Sequence, residues 1–201
     1  NINSTSDVTR VAFRSSVDES ASGYVTTVKS VTFTNEANRV VIHKSDFTTA
    51  EVVPGARIQI FDSIGRIYAD NVTDSNGNIT LYAIPAGTYT FREIVAPDGY
   101  ILNTTTFEFT VNENGTITGV TDITDEQTLV TITKIDSVTG NPVAGAEYTF
   151  YNEDGQVVTV GVTDENGQIV LRGIPVGFYT YKETMAPDGY ALDETEYSFS
   201  I

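Results

Sequence analysis

The sequence predicts an all-β protein of tandem β-sandwich domains, and three observations carry that reading. Stretches that alternate apolar and polar residues are separated by turns rich in Gly, Pro and Asn, roughly every 8–12 residues. Thr, Val, Ile, Tyr and Phe outweigh the strong helix formers Leu, Ala, Lys and Met, and β-branched and aromatic side chains suit a pleated, half-buried surface. One half of the chain also superimposes on the other at an offset of 90 residues: YTFREIVAPDGY at 89–100 returns as YTYKETMAPDGY at 179–190. A repeat of that period means two copies of one domain, and 201 residues hold two domains of about 100 each.

The offset holds along each copy. Lys44 falls on Lys134, Gly55-Ala56 on Gly145-Ala146, Gly65 on Gly155, Asp74 and Gly77 on Asp164 and Gly167, and Pro85 and Gly87 on Pro175 and Gly177. Each copy opens with a strand, VVIHKSD at 40–46 and VTITKID at 130–136. A loop leads to RIQIF in one copy and EYTFY in the other. TDSNGNITL and TDENGQIVL then read as hairpins, because Asn-Gly suits a turn that needs positive φ. IPAG and IPVG lead into the long strands that begin the twin segments, and TFEFTV at 106–111 and EYSFSI at 196–201 follow APDGY. The first copy continues through 112–127, a turn and one more strand. Residues 8–35 read as a hairpin, VTRVAF and GYVTTVKSVTFTN, whose last strand matches that closing strand.

Within these strands, polar residues extend apolar rows. Alternation places Val40, Ile42 and Lys44 on one face, as it does Val130, Ile132 and Lys134. Tyr89, Phe91 and Glu93 share a face, as do Tyr179, Tyr181 and Glu183. Ile123 and Asp125 form a third row; the offset carries Asp125 back to Asn35, which follows Val31 and Phe33 on its own face. A lone buried charge costs several kcal/mol or neutralises, so each Glu needs a partner. One partner is the inward Lys, in a buried ion pair, which is the commoner outcome for such spacing. The other outcome is covalent. A buried lysine is pushed toward its neutral, nucleophilic form, and a protonated Glu can polarise the side-chain carbonyl of an Asp or Asn and shuttle protons. Attack of the amine on that carbon gives an intramolecular isopeptide bond, releasing water from Asp or ammonia from Asn. Asp122 lies close to Asp125 on the opposite face, and a register slip would exchange them.

Other chemistry has little support. A formal charge of −16 disfavours nucleic acid and anionic membranes, which call for basic patches. The chain has no Cys, so disulfides and thiolate metal sites are excluded. His43, the single His, reads as an outward surface residue, so no Ser-His-Asp set forms and no metal is expected. TDSNGNI lacks the later acidic ligands of a calcium loop. No glycine-rich phosphate loop follows a strand, and no cofactor is implied. There is no signal peptide or membrane-length apolar run. A chain that starts on Asn1 reads as a processed or excised segment, so that absence is silent on compartment.

Taken together, K-x-D, the Gly-Ala after the first loop, TD-x-NG and Y-x-x-x-E-x-x-APDGY resemble the collagen-adhesin B-type (CnaB, prealbumin-like) domains of Gram-positive surface adhesins and pilins. The resemblance covers residues 40–201 nearly end to end. It implies immunoglobulin-like/prealbumin-like sandwiches in which the first-strand Lys joins an Asp or Asn of the last strand with help from the Glu. Carried over, the crosslink is Lys44 with Asp125, assisted by Glu93. The second copy offers Lys134 and Glu183 but departs from the family pattern, since Ile201 matches Val111 and no acceptor strand follows. The division implied is 1–38, closing strands of an incomplete domain; 39–127, a complete domain; and 128–201, a domain lacking its last strand. Functionally the resemblance implies a structural stalk or fibre-shaft segment, extracellular on a Gram-positive cell surface or wall. It also implies that the protein is not an enzyme beyond a single-turnover self-crosslink. The alternative is a module whose loops bind a host ligand. Expected partners are neighbouring domains or further copies of the chain. Asn35 and the Lys134–Glu183 pair each supply what the other lacks, so head-to-tail strand complementation with a Lys134–Asn35 bond between subunits is a further expectation.

Overall fold

The computed structural model describes residues 34–201. The strands expected over 8–35, with Val31 and Phe33, lie outside the described residues apart from their last positions. Asn35 is described, and it is exposed and outside any strand.

Every regular element among the described residues is a strand, so none of them is a helix long and apolar enough to cross a membrane. The first copy contains β1 (Arg39–Asp46), β2 (Arg57–Phe61), β3 (Ile67–Val72), β4 (Asn78–Tyr82), β5 (Gly87–Val95), β6 (Thr106–Val111), β7 (Ile117–Gly119) and β8 (Asp122–Asp125). They form two sheets, ordered β4-β1-β8 and β3-β2-β5-β6-β7. Alternation along β1, β2 and β5 turns Val40, Ile42, Ile58, Ile60, Tyr89 and Phe91 inward, where they meet Ile79, Phe109 and Ile123 in one core. Phe91 stacks on Phe107 and Tyr89 on Phe109, each with ring centroids 5.4 Å apart. The aromatic row of β5 is thus locked to β6, its antiparallel neighbour. β8 is the exception to antiparallel pairing. It runs parallel to β1, with Lys44 opposite Ile123 and Asp46 opposite Asp125.

The second copy contains β9 (Leu129–Thr133), β10 (Glu147–Asn152), β11 (Val157–Val162), β12 (Gln168–Arg172), β13 (Phe178–Met185) and β14 (Glu196–Ser200). Its sheets are β11-β10-β13-β14 and β12-β9, and the described residues include no counterpart of β7 or β8. That shortens the first strand. The expected strand over 130–136 ends at Thr133, whereas β1 continues to Asp46 because β8 pairs along its last four residues.

The two Asn-Gly segments are turns, but not hairpins within a sheet. Gly77 N–H closes the turn on Asp74 O at 2.9 Å, yet β3 pairs with β2 while β4 pairs with β1. The chain crosses here from one sheet to the other. Gly77, at φ +72°, also presses against the β1 backbone, where any Cβ would collide with Lys44 O. Its own carbonyl accepts Lys44 N–H at 2.8 Å. The glycine is needed for close approach as much as for the turn, and Gly167 stands the same way against Lys134.

The copies join at Thr128, which is buried. Its N–H donates to Gly99 O at 2.9 Å, its hydroxyl to Ile174 O at 2.6 Å, and its carbonyl accepts Gly173 N–H at 3.1 Å. The junction is therefore hydrogen-bonded to both sides.

Candidate functional site: a sealed lysine–carboxyl cluster

Three strands bring three polar side chains into the end of the first core. β1 contributes Lys44, which is 0% exposed; β5 contributes Glu93 and β8 contributes Asp125, 4% and 2% exposed. Lys44 Nζ donates to Asp125 Oδ1 and lies 3.3 Å from Glu93 Oε1. Glu93 Oε2 accepts Asn103 N–H at 2.8 Å. Glu93 Oε1 and Asp125 Oδ2 have no hydrogen-bond donor among the described residues. Burial is the main force on Glu93 and pushes its carboxyl up to about 7. The Asn103 N–H and Lys44 oppose the rise, and Asp125 adds to it. Glu93 can therefore hold a proton near neutrality and give it up again. Asp122 is exposed, so the register directs Asp125 to the lysine.

Asp46 belongs to the same inward row and is a buried carboxylate. It accepts N–H groups of Thr48 and Thr49, each at 2.7 Å, and the Gln127 amide at 2.8 Å. The Thr49 N–H contributes most to holding its carboxyl below the usual range. Asp46 thus ties the end of β1 to the segment after β8. Its signal was the K-x-D spacing in both copies; Asp136 accepts Val138 and Thr139 N–H groups at 2.9 and 2.7 Å. His43, expected to be exposed, is half-buried, with Nδ1 2.8 Å from Asn78 Oδ1.

The second copy holds only part of this arrangement. Lys134 Nζ lies 3.1 Å from Glu183 Oε1 and donates to Tyr148 Oη at 3.2 Å. Its side chain is 15% exposed. Burial pulls the Lys134 ammonium down, but the Tyr148 hydroxyl and Glu183 outweigh it and leave the pKa raised. This reverses the expectation that burial drives the lysine toward its neutral form. The residue aligned with Tyr148 is the buried Ile58, which offers Lys44 no polar contact. Tyr148 reads in the sequence as one more core aromatic, because periodicity fixes its face but not the reach of its hydroxyl.

The fold and this cluster define a tandem prealbumin-like protein with a lysine and a carboxyl inward in each copy. The family model of the SpaA prealbumin-like fold domain matches residues 38–127 and again 128–201, and the chain belongs to that family. It is 31% identical over 67 residues to the trypsin-resistant surface T6 protein of Streptococcus pyogenes serotype M6, covering 33% of this chain and 12% of that protein. Among solved structures, the Bacillus anthracis TIE protein is 36% identical, with a TM-score of 0.54, over 83% of this chain and 32% of the other. The chain therefore spans a minor part of both. A weaker likeness, TM-score 0.39 and 17% identity, extends to the major pilin subunit of Bacillus cereus, over 83% of this chain and 95% of that one.

Proposed function

We propose that the chain is a load-bearing segment of a surface stalk or fibre shaft on a Gram-positive bacterium, and that residues 39–127 form a domain locked by a Lys44–Asp125 isopeptide bond. The observation that carries this reading is the sealed contact of Lys44, Glu93 and Asp125 between parallel strands β1 and β8. In the proposed step the neutral Lys44 amine attacks Cγ of the protonated Asp125 carboxyl. The C–N bond forms, one C–O bond breaks, and Glu93 passes the proton leaving nitrogen to the departing oxygen, so that one water is released. The apolar walls hold the groups in attacking geometry. Tension entering before β1 and leaving after β8 would then pass through the bond and bypass the residues between. Likeness to a streptococcal surface protein supports the surface location.

In residues 128–201 the same reading makes Lys134 and Glu183 a half-site that an acceptor strand beside β9 would complete, with residues 1–38 as closing strands. The 90-residue offset nominates Asn35 as its acceptor, in a neighbouring copy of the chain, with ammonia leaving. Intact mass tests the first bond: one water below the sequence mass is expected, with proteolysis yielding a branched peptide that joins Lys44 to Asp125. An unaltered mass sinks it. Boiling in denaturant followed by sizing tests the second, where a covalent ladder is expected and monomer alone rejects the intersubunit bond.

A further inference from the structure

Among the described residues, β8 is a four-residue edge strand held by β1 on one side only. Thr121 O and Asp125 O point toward β1 and accept His43 and Phe47 N–H groups, each at 2.8 Å. Carbonyls alternate along a strand, so Thr124 O points to the open side, one residue before the proposed acceptor. Asn103 meets it there: Asn103 Nδ2 donates to Thr124 O at 2.9 Å. The backbone N–H of the same residue donates to Glu93 Oε2 at 2.8 Å, and its Oδ1 accepts Thr105 N–H at 3.0 Å. With the carbonyl end of the amide committed to Thr105, the NH2 end faces β8. Ile101 N–H, donating to Glu126 O at 2.9 Å, continues the contact along the same edge.

The second copy shows what a different side chain does in that place. Asp193 keeps the backbone donation to the glutamate, at 2.8 Å to Glu183 Oε2, and the cap on Thr195 N–H at 3.0 Å. Its other oxygen accepts Tyr197 Oη–H at 2.8 Å. Hydrogen bonds from Thr195 and Tyr197 hold this carboxyl down at about 2, so it stays an acceptor and has no proton for a strand carbonyl.

We propose that Asn103 is the positioning residue of the crosslink, tying the proton-handling glutamate to the acceptor strand and setting the depth at which Asp125 meets Lys44. The inference rests on the Lys44–Asp125 bond proposed above.

Asn103→Asp separates the roles, since it keeps the backbone N–H and the oxygen for Thr105 and loses only the Nδ2 donor. The full chain is captured in denaturant directly after cell-free synthesis, then diluted into buffers from about pH 2.5, well below the ordinary Asp value, to about pH 7, and loss of water is followed by intact mass. At neutral pH the variant is expected to form the bond about 10–100-fold more slowly than the unsubstituted chain, as for a misplaced reacting group. Thr105 caps this position as Thr195 caps Asp193, so the introduced carboxylate takes up its proton only below its ordinary value of about 4; that proton restores a donor, and the ratio of the two rates should climb toward one at the acid end of the series. Asn103→Ala, which introduces no charge, should stay slow at every pH, with circular dichroism confirming that both variants fold. Wild-type speed in Asn103→Asp at neutral pH, or a slowing that does not relax in acid, overturns the positioning role alone. An unsubstituted chain that never loses water overturns the bond and the positioning role together.

Discussion

Lys44 and Lys134 stand at the same point of the same fold, and what closes over them differs in three places. β8 covers Lys44 and supplies Asp125, whereas the described residues place no strand beside β9 on the corresponding side. Ile58 leaves Lys44 with only carboxyls for partners, whereas Tyr148 gives Lys134 a hydroxyl. Asn103 reaches across to β8, whereas Asp193 turns to Tyr197. An inward Lys–Glu pair therefore does not by itself assemble the three-group contact. Exclusion of water and a third group at bonding distance make the first cluster chemically different from the second. In the second copy, the Tyr148 hydroxyl and Glu183 favour the charged form of the lysine.

Removing the third group should forfeit the whole loop-closure term. Asp125→Ala should leave the mass at the sequence value and cost about 4.5 kcal/mol, from the chain-entropy term for closing a loop between residues 81 apart. For a domain of this size that is a fall in melting temperature on the order of 20 °C. A melting curve unchanged by this substitution would mean that no covalent loop exists to lose.

Glu93→Ala and Glu183→Ala test the two copies against each other. Glu93→Ala should abolish the first bond while preserving the fold, because β5 is held by Phe91 and its neighbours. It breaks a fully enclosed pair, which costs about 3–5 kcal/mol. Glu183→Ala should cost less, since Lys134 keeps the Tyr148 hydroxyl and partial access to water, while removing any bond the second copy makes. Thermal melts of the two variants give the ranking, and an equal loss in both would erase that distinction.

The pH dependence of the two clusters should also differ in its window. Glu93 has a folded pKa of about 7 against an ordinary value of 4.5. Below 4.5 it is protonated in both folded and unfolded chains and has no effect. As pH rises from 4.5 to 7 the unfolded chain ionises first, so stability falls, by at most about 3 kcal/mol, and then levels off. For Lys134 the pKa is raised above 10.5, so its contribution is fully present below that value and is lost only as pH climbs through the higher folded pKa. The check is to compare Asp125→Ala with Asp125→Ala/Glu93→Gln by denaturant unfolding. Only the chain that keeps Glu93 should lose stability as pH rises above 4.5, over a narrower window than in the intact cluster because Asp125, which adds to the rise, is gone.

The all-β class, the repeat and the inward rows were legible in the sequence for one reason. A period of two fixes the face of each residue once the strand is known, so Lys44, Glu93 and Asp125 could be placed inward without coordinates. Face is not partnership, however. The parallel pairing of β1 with β8 depends on how the chain returns, and the Asn-Gly turns look alike whether they join strands of one sheet or cross between two. Asn103 and Asp46 act through hydrogen bonds involving loops, where no periodicity exists. The protonation of Lys134 depends on Tyr148, whose aromatic character gave no hint of a hydroxyl aimed at an ammonium.

The mildest change concerns the glycines of the twin APDGY segments, which are identical in sequence but not in surroundings. Gly99 and Gly189 both have positive φ, +83° and +88°. An alanine at either position costs about 1–2 kcal/mol for a left-handed backbone. At Gly189 that is the whole cost, because an added Cβ has nothing within 4 Å. At Gly99 the Cβ would lie 2.5 Å from Gly173 O, a backbone atom of the second copy. Backbone cannot rotate aside as a side chain would, so the junction must shift, adding about 1–3 kcal/mol as in overpacked cores. The shift would also strain the paired bonds of Thr128 with Gly99 and Ile174. Gly99→Ala should therefore melt several degrees below Gly189→Ala, and hydrogen exchange at the Thr128 and Gly173 amides should quicken only in the former. Equal melting temperatures with both amides still protected would mean that the contact between the copies is loose enough to yield.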